Sequence, residues 1–299
     1  MRKIIIDGAT SMLGVALTEV AVREGVEVYA IVRPNTKRID RIPKSPFVHV
    51  AYGSLDKLAN AKDLPGDADV FYHFAWVGTV KAERNDPRMQ ERNIEYTLDA
   101  VELAERCGCK RFVFAGSQAE YGPVFDRIDD NTKHSPVLAY GIAKYAAGIL
   151  SRRLCESKEI EHIWGRVFSV YGPHDNEGTM LKYAIDCWNK GEVAKFSSAM
   201  QYWNYLYELD AGEMFYRLGL PLVPAGTYMV ANSESEILRN YIETAMRVYG
   251  EKAKAEFAPE TSEKLCGLNV DTEKTNRLLN YYPQIAFDEG IRKMIEWEA

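Results

Sequence analysis

Over its first 170 residues the chain alternates two hydrophobic rhythms, and this alternation constrains its fold more than any other feature. Apolar runs with strand character stand at 3–6, 26–32 ("VEVYAIV"), 47–52, 69–75 ("DVFYHFA"), 111–116 and 161–168. Between them the apolar residues recur at helical spacing. Leu13, Ala16, Leu17, Val20 and Ala21 form one such stripe, and Ile94, Leu98, Val101 and Ala104 form another. Helices are predicted after Ser11, briefly at 55–61, from Pro87 in the first turn to 106, and over 138–156. Strands alternating with helices of this length predict a parallel sheet covered on both faces. Such a sheet places its ligand at the carboxyl ends of its strands.

Beyond residue 170 the rhythm is less regular. Helices are predicted at 179–190, 208–219, 234–249, 272–280 and 287–297, with short strands at 193–197 and 227–231. No Ser/Gly-rich linker divides the chain. The expected fold is α/β, a doubly wound parallel sheet of the Rossmann kind with a smaller C-terminal cap. In this reading residues 1–170 form the dinucleotide-binding domain, with 203–232 folding back onto it. Residues 171–202 and 233–299 form the cap.

Composition narrows the function. The 299 residues carry a formal net charge of −6, and no basic cluster is larger than Arg33, Lys37, Arg38 and Arg41. That argues against a nucleic-acid partner. No apolar run approaches a membrane span, and the start has too short an apolar stretch for a secretory signal. A cytoplasmic protein is expected. The five cysteines include Cys107 and Cys109, one residue apart, and no pair at metal-ligand spacing. They are read as reduced thiols, with no metal.

Three constellations carry chemistry. In "KIIIDGATSMLG" a strand meets Gly8-x-x-Ser11-x-x-Gly14 and turns into a helix. Backbone N–H groups at a helix start suit a pyrophosphate, and Ser11 is also a helix N-cap. A bare strand-to-helix turn would look the same. At the end of the second strand stands Arg33, and no acid follows before Asp40. Arg33, helped by Lys37 or Arg38, suits a ribose phosphate, which favours NADP(H) over NAD(H). A solvated basic loop is the competing reading. Third, "AYGIAKYAA" sets Tyr140 and Lys144 four apart on a helix face. A neighbouring ammonium favours the phenolate, so the tyrosine can exchange a proton with a hydroxyl or carbonyl. Ser117 follows the fifth strand and can hold the same oxygen.

With these residues in place the chain resembles the extended short-chain dehydrogenase/reductases, the NAD(P)-dependent epimerase/dehydratase family. "DGATSMLG" resembles its glycine fingerprint, "HFAW" its His-x-Ala turn, "GSQAEYG" its serine segment and "YGIAK" its Tyr/Lys pair. "RVFSVYGP" and "QYWNYLYELDAGE" resemble the segments leading into its substrate cap. The resemblance implies that Tyr140 is the acid/base, Lys144 the tyrosine's partner and nicotinamide ribose ligand, and Ser117 the residue orienting the sugar oxygen. It implies that Gly8, Ser11, Met12, Leu13 and Gly14 hold the pyrophosphate. Ala75, with Val170 or Tyr171, lines the nicotinamide ribose region. Gln118, Ser169, Met180 and Trp203 face the substrate.

The departures are informative. Asp7 stands where Thr is frequent, and a carboxylate there repels phosphate unless it caps backbone N–H groups. Dehydratases of the family carry an Asp-Glu pair after the serine. Here Gln118 and Ala119 take those places and Glu120 is displaced by one, which disfavours dehydration. Trp203 stands where many relatives have an Arg.

The family implies a nucleotide-sugar substrate. The resemblance is greatest to the branch of abequose and paratose synthases, so the expected reaction is reduction of a 4-keto-6-deoxy sugar. A 4-epimerase with tightly bound NAD, and a non-enzymatic NAD(P)-sensing or RNA-binding relative, are the alternatives. Relatives often dimerise through two helices per subunit. The helix over 87–106 and the Tyr140 helix would supply that contact, although their outer faces show no clear apolar excess.

Overall fold

The computed structural model describes residues 1–260 and 264–298. The first half runs β1 (Lys3–Asp7), α1 (Met12–Arg23), β2 (Glu27–Val32), β3 (Val48–Tyr52), β4 (Val70–His73) and α2 (Pro87–Arg106). It continues through β5 (Arg111–Ser117), β6 (Arg127–Ile128), α3 (Ala139–Ser157) and β7 (Glu161–Val167). The second half is made of shorter pieces: β8 (Ser169–Tyr171), α4 (Met180–Asn189), β9 (Ala194–Phe196), β10 (Tyr202–Trp203), β11 (Tyr205–Tyr207) and α5 (Glu208–Leu218). Then come β12 (Gly226–Val230), β13 (Glu236–Ile237), α6 (Leu238–Tyr249), β14 (Ala255–Phe257), β15 (Asn269–Val270), α7 (Glu273–Leu279) and α8 (Phe287–Glu298).

Seven strands form one parallel sheet in the order β12-β7-β5-β4-β1-β2-β3. This is the expected α/β, doubly wound Rossmann arrangement. Ile4, Ile5 and Ile6 lie at its centre, fully buried. Strand β1 is flanked by β2 on one side and β4 on the other, so the order reverses there. A sheet of this kind takes its ligand above the carboxyl ends at that reversal. Two apolar layers cover the sheet. One packs α1 and α5 against it through Leu17, Ala21, Met214, Phe215 and Leu218. The other packs α2 and α3 through Val101, Ala104, Ala147 and Cys155.

A third cluster forms the core of the smaller C-terminal part, where Ile185, Trp188, Tyr205, Tyr241, Ile291 and Met294 meet. Its strands pair in twos: β8 with β11, β10 with β13, β9 with β14 and β6 with β15.

Three predicted elements end differently in the structure. The strand expected over 69–75 stops at His73, because the amides of Phe74 and Ala75 turn toward Asp7 Oδ1. The short helix expected at 55–61 is a 3-10 helix, Leu55–Asn60. The helix expected from 234 begins at Leu238, since Ile237 and Glu236 first pair with Tyr202 and Trp203. The outer face of α3 also differs from expectation, for Ile142, Ile149 and Leu150 are exposed along it. No helix among the described residues is long and apolar enough to cross a membrane.

Candidate active site

The turn between β1 and α1 is built on close approaches. Gly8 has φ +67°, and a Cβ there would lie 2.7 Å from the backbone nitrogen of Ala75. A Cβ on Gly14 would lie 2.5 Å from the Gly8 carbonyl oxygen, so α1 starts directly against the turn. Ser11 is the N-cap: its Oγ accepts from the Gly14 amide at 3.2 Å. Among the described residues, no acceptor meets the amides of Met12 and Leu13. Two open donors at the positive end of α1 suit a pyrophosphate. The residues present therefore fit the phosphate end of a dinucleotide.

Asp7 does not oppose that anion. Its Oδ1 accepts from the amides of Phe74 (2.8 Å) and Ala75 (2.9 Å), and its Oδ2 lies 2.5 Å from His73 Nδ1. The carboxylate fixes the backbone at Ala75, which faces Gly8.

Beside these strand ends, small residues let α3 approach β7 and the turn after β5. A Cβ at Gly141 would lie 2.3 Å from the Ala119 carbonyl oxygen, and one at Gly148 2.2 Å from the Trp164 ring. This close approach brings Tyr140 and Lys144 beside Ser117. Lys144 is buried, donates to the Ala115 carbonyl at 2.8 Å and sits 3.7 Å from the centre of the Trp76 ring. Burial brings its pKa down to about 7, against the opposing pull of Glu120 and Asp7. Tyr140 is half-buried, with its ring edge-on to Trp76 at 6.0 Å. Burial raises its pKa, while the Arg84 cation and the Ser117 hydroxyl draw it down.

Ser117 ends β5, and its Oγ accepts from the Ala119 amide at 3.2 Å. Gln118 opens the 3-10 turn that follows and is half-buried. Glu120 faces inward. It is fully buried, accepting from the Ser117 amide (2.7 Å), Trp164 Nε1 (3.2 Å) and Arg166 Nε (2.6 Å). No atom of it is left for a substrate.

The remaining predicted residues spread around this centre. Arg33 is exposed just past β2. Arg38, exposed nearby, bonds to Asn176 at 3.3 Å, while Arg41 donates to the His174 carbonyl at 3.0 Å. Those two contacts tie the loop after β2 to the start of the C-terminal part. Trp203 donates to Ser169 Oγ at 2.9 Å, joining two of the predicted substrate residues. Met180 opens α4 and packs on the C-terminal core, and Tyr171 is buried in that core.

Sequence reading missed Trp76, Arg84 and Gln90. Trp76 ends the quoted "HFAW", yet its place between Lys144 and Tyr140 comes from tertiary packing. Arg84 lies with its guanidinium carbon 4.4 Å from the centre of the Tyr140 ring. Gln90 accepts from Trp76 Nε1 at 2.8 Å and donates to the carbonyls of Gly78 (2.7 Å) and Glu83 (3.1 Å).

A Gly turn, a strand-end Ser and a Tyr/Lys pair thus stand together at the carboxyl ends of the central strands. Residues 4–221 match the profile of the NAD dependent epimerase/dehydratase family. The chain belongs to that family. It is an enzyme with a nicotinamide dinucleotide as cofactor, which sets aside the non-catalytic reading. It is 22% identical to an uncharacterized UDP-glucose epimerase, YtcB, of Bacillus subtilis (strain 168), over 99% of this chain and 97% of that one. It is 24% identical to a UDP-glucuronate 4-epimerase of Thermodesulfobacterium geofontis, over 75% and 71%. The fold matches the crystal structure of the UDP-glucuronic acid 4-epimerase from Bacillus cereus in complex with NAD, with a TM-score of 0.84. That pair is 19% identical over 99% of this chain and 96% of the other. Names among its relatives include epimerases, decarboxylases and dehydratases, and do not point specifically to abequose or paratose synthases.

Proposed function

We propose that the enzyme reduces the 4-keto group of a nucleotide-linked 6-deoxy sugar, using NADP(H). The observation that carries this reading is the end of β2, where exposed Arg33 stands and no acid occurs before Asp40. A guanidinium there suits a ribose phosphate, whereas an acid would hold a ribose hydroxyl. The locked Glu120, with Gln118 and Ala119 before it, speaks against elimination of water.

In this reading residues 1–170 with 203–232 hold the cofactor, and 171–202 with 233–299 hold the sugar nucleotide. When bound, the cofactor would supply a hydride for the sugar carbonyl carbon. Tyr140 gives its phenol proton to the carbonyl oxygen as the C=O double bond becomes single. The Ser117 oxygen accepts from the Ala119 amide, so its own hydrogen is left for that same oxygen. Lys144 supports the phenolate that Tyr140 becomes. Ser169 and Trp203, already bonded to each other, line the sugar side with Gln118 and Met180. A homodimer through α3 is part of this reading, supported by exposed Ile142, Ile149 and Leu150.

A second reading, 4-epimerisation with retained NAD, draws on the relatives' names. Fluorescence titration of Arg33→Ala with NADPH and NADH separates the cofactors. The expected result is roughly a tenfold or greater loss for NADPH and little change for NADH. Equal losses would remove the phosphate argument. Purified protein that carries NAD and interconverts C4 epimers would replace reduction by epimerisation.

A further inference from the structure

The segment between Gly78 and Asp86 is held against the catalytic helix from two sides. Gln90 of α2 fixes the carbonyls of Gly78 and Glu83. Asn85 Oδ1 accepts from the Ala139 amide at 3.2 Å, one residue before Tyr140. Arg84 lies between these two anchors, so its position over the Tyr140 ring is built rather than incidental. Its guanidinium carbon stands 4.4 Å from the ring centre, at cation–π distance. Its Nε is buried and has no hydrogen-bond partner among the described residues. The same Gln90 side chain accepts from Trp76, whose ring meets Tyr140 edge-on and carries Lys144 on its face. One glutamine thus arranges two cations about the reactive tyrosine.

We propose that Arg84 is a positioning residue for proton transfer: a permanent positive charge on the Tyr140 ring that sets the pH at which the phenol ionises. The proposal rests on Tyr140 being the proton-transferring residue, as in the reading above, and is independent of whether that reaction is reduction or epimerisation. Among the described side chains, the charges facing this tyrosine are few. Lys144 stands on its own helix, Arg84 on the segment before α2, and Glu120 behind Ser117, with Asp7 beyond Lys144. Glu120 is paired with Arg166, so it opposes the phenolate weakly. Lys144 is buried and loses its proton readily. Arg84 does not, because a guanidinium stays protonated at any pH the fold survives. Above about pH 7, where Lys144 has lost its proton, Arg84 still keeps a positive charge beside the phenol.

The test needs no substrate. The protein is labelled with tyrosine carrying carbon-13 at the ζ position, and Tyr140→Phe identifies the resonance of Tyr140. Wild type, Arg84→Met and Arg84→Lys are then titrated, with circular dichroism marking the pH range of the intact fold. Arg84→Met is expected to move the Tyr140 transition up by about one unit, a tenfold change in its ionisation constant, and Arg84→Lys to restore part of it. Coincident transitions in wild type and Arg84→Met would overturn the proposal. So would a wild-type Tyr140 that stays protonated until the fold is lost. A turnover assay then reads the same shift independently. If the titration moves while no sugar is turned over, the reductase reading fails and the role of Arg84 stands.

Discussion

Asp7 Oδ2 lies 2.5 Å from His73 Nδ1, and the opposite edge of the imidazole, Nε2, lies 3.1 Å from Thr97 Oγ1. The Thr97 hydroxyl donates its hydrogen to the Asn93 carbonyl at 2.8 Å, so toward His73 its oxygen accepts. Nε2 therefore donates to Thr97, and Nδ1 faces the carboxylate. The result is a hydrogen-bonded histidine–aspartate pair across the carboxyl ends of β1 and β4, both side chains almost fully buried. It joins the glycine turn to the Ala75 backbone on which Gly8 rests.

Removing one partner of such a pair should cost more than muting its charge. Asp7→Ala leaves the Phe74 and Ala75 amides and the buried imidazole without partners. A loss of about 3–5 kcal/mol in unfolding free energy is expected, together with weakened cofactor binding. Asp7→Asn keeps the oxygen that serves the two amides, and His73 can present Nδ1 as an acceptor to the new NH₂. Its expected loss is about 1–2 kcal/mol. Urea denaturation of both variants checks the order. Equal losses would mean that the amide contacts carry nothing.

How far these features can be read from sequence depends on how local they are. Ser11 as a cap, Ser117 after a strand and Tyr140 four residues before Lys144 are set within one turn or one strand end. Their residue types and spacing therefore announce them. Asp7 could be seen but not interpreted, since its partner His73 is 66 residues away. Glu120 finds Arg166 across the sheet in the same way, and its displacement in sequence gave no sign of how firmly it is held. Arg84 shows no periodicity, because its place over Tyr140 follows from Gln90 and Asn85 anchoring an irregular segment. The two- and three-residue strands of the C-terminal part, such as β10 against β13, are too short to alternate visibly.

The buried Lys144 makes a pH prediction. An ordinary lysine holds its proton to about 10.5, whereas burial brings this one down to about 7 in the folded chain. Below about pH 7 both states are protonated and the cost of the buried charge is fully present. Above it the unfolded chain keeps a proton that the folded chain has released, so raising the pH favours folding until the unfolded lysine also deprotonates. Wild type should therefore gain stability relative to Lys144→Met between about pH 7 and 10. The slope should approach about 1.4 kcal/mol per pH unit. Chemical denaturation of both proteins at several pH values measures the difference. A constant difference would place the charged lysine in a better-solvated site than the one described.

Gly148 tests whether close approach of α3 is what assembles the site. A Cβ at this position would lie 2.2 Å from Trp164 Cζ2, with two more ring atoms within 2.5 Å. The indole cannot slide away toward β5, because a Cβ at Gly116 would already lie 2.1 Å from its Nε1. It is also held by its bond to Glu120. In an open helix Gly→Ala would stabilise by about 1 kcal/mol. Here overpacking should cost about 1–3 kcal/mol and reverse the sign. The strain is relieved if α3 lifts from the sheet, which carries Tyr140 and Lys144 away from Ser117. Gly148→Ala should therefore lose stability and turnover together. Adding Trp164→Phe, a smaller ring, should recover part of both in a double-mutant cycle. A Gly148→Ala variant more stable than wild type would show that α3 has room to spare against Trp164, and that the glycine does not set the distance between the tyrosine and the serine.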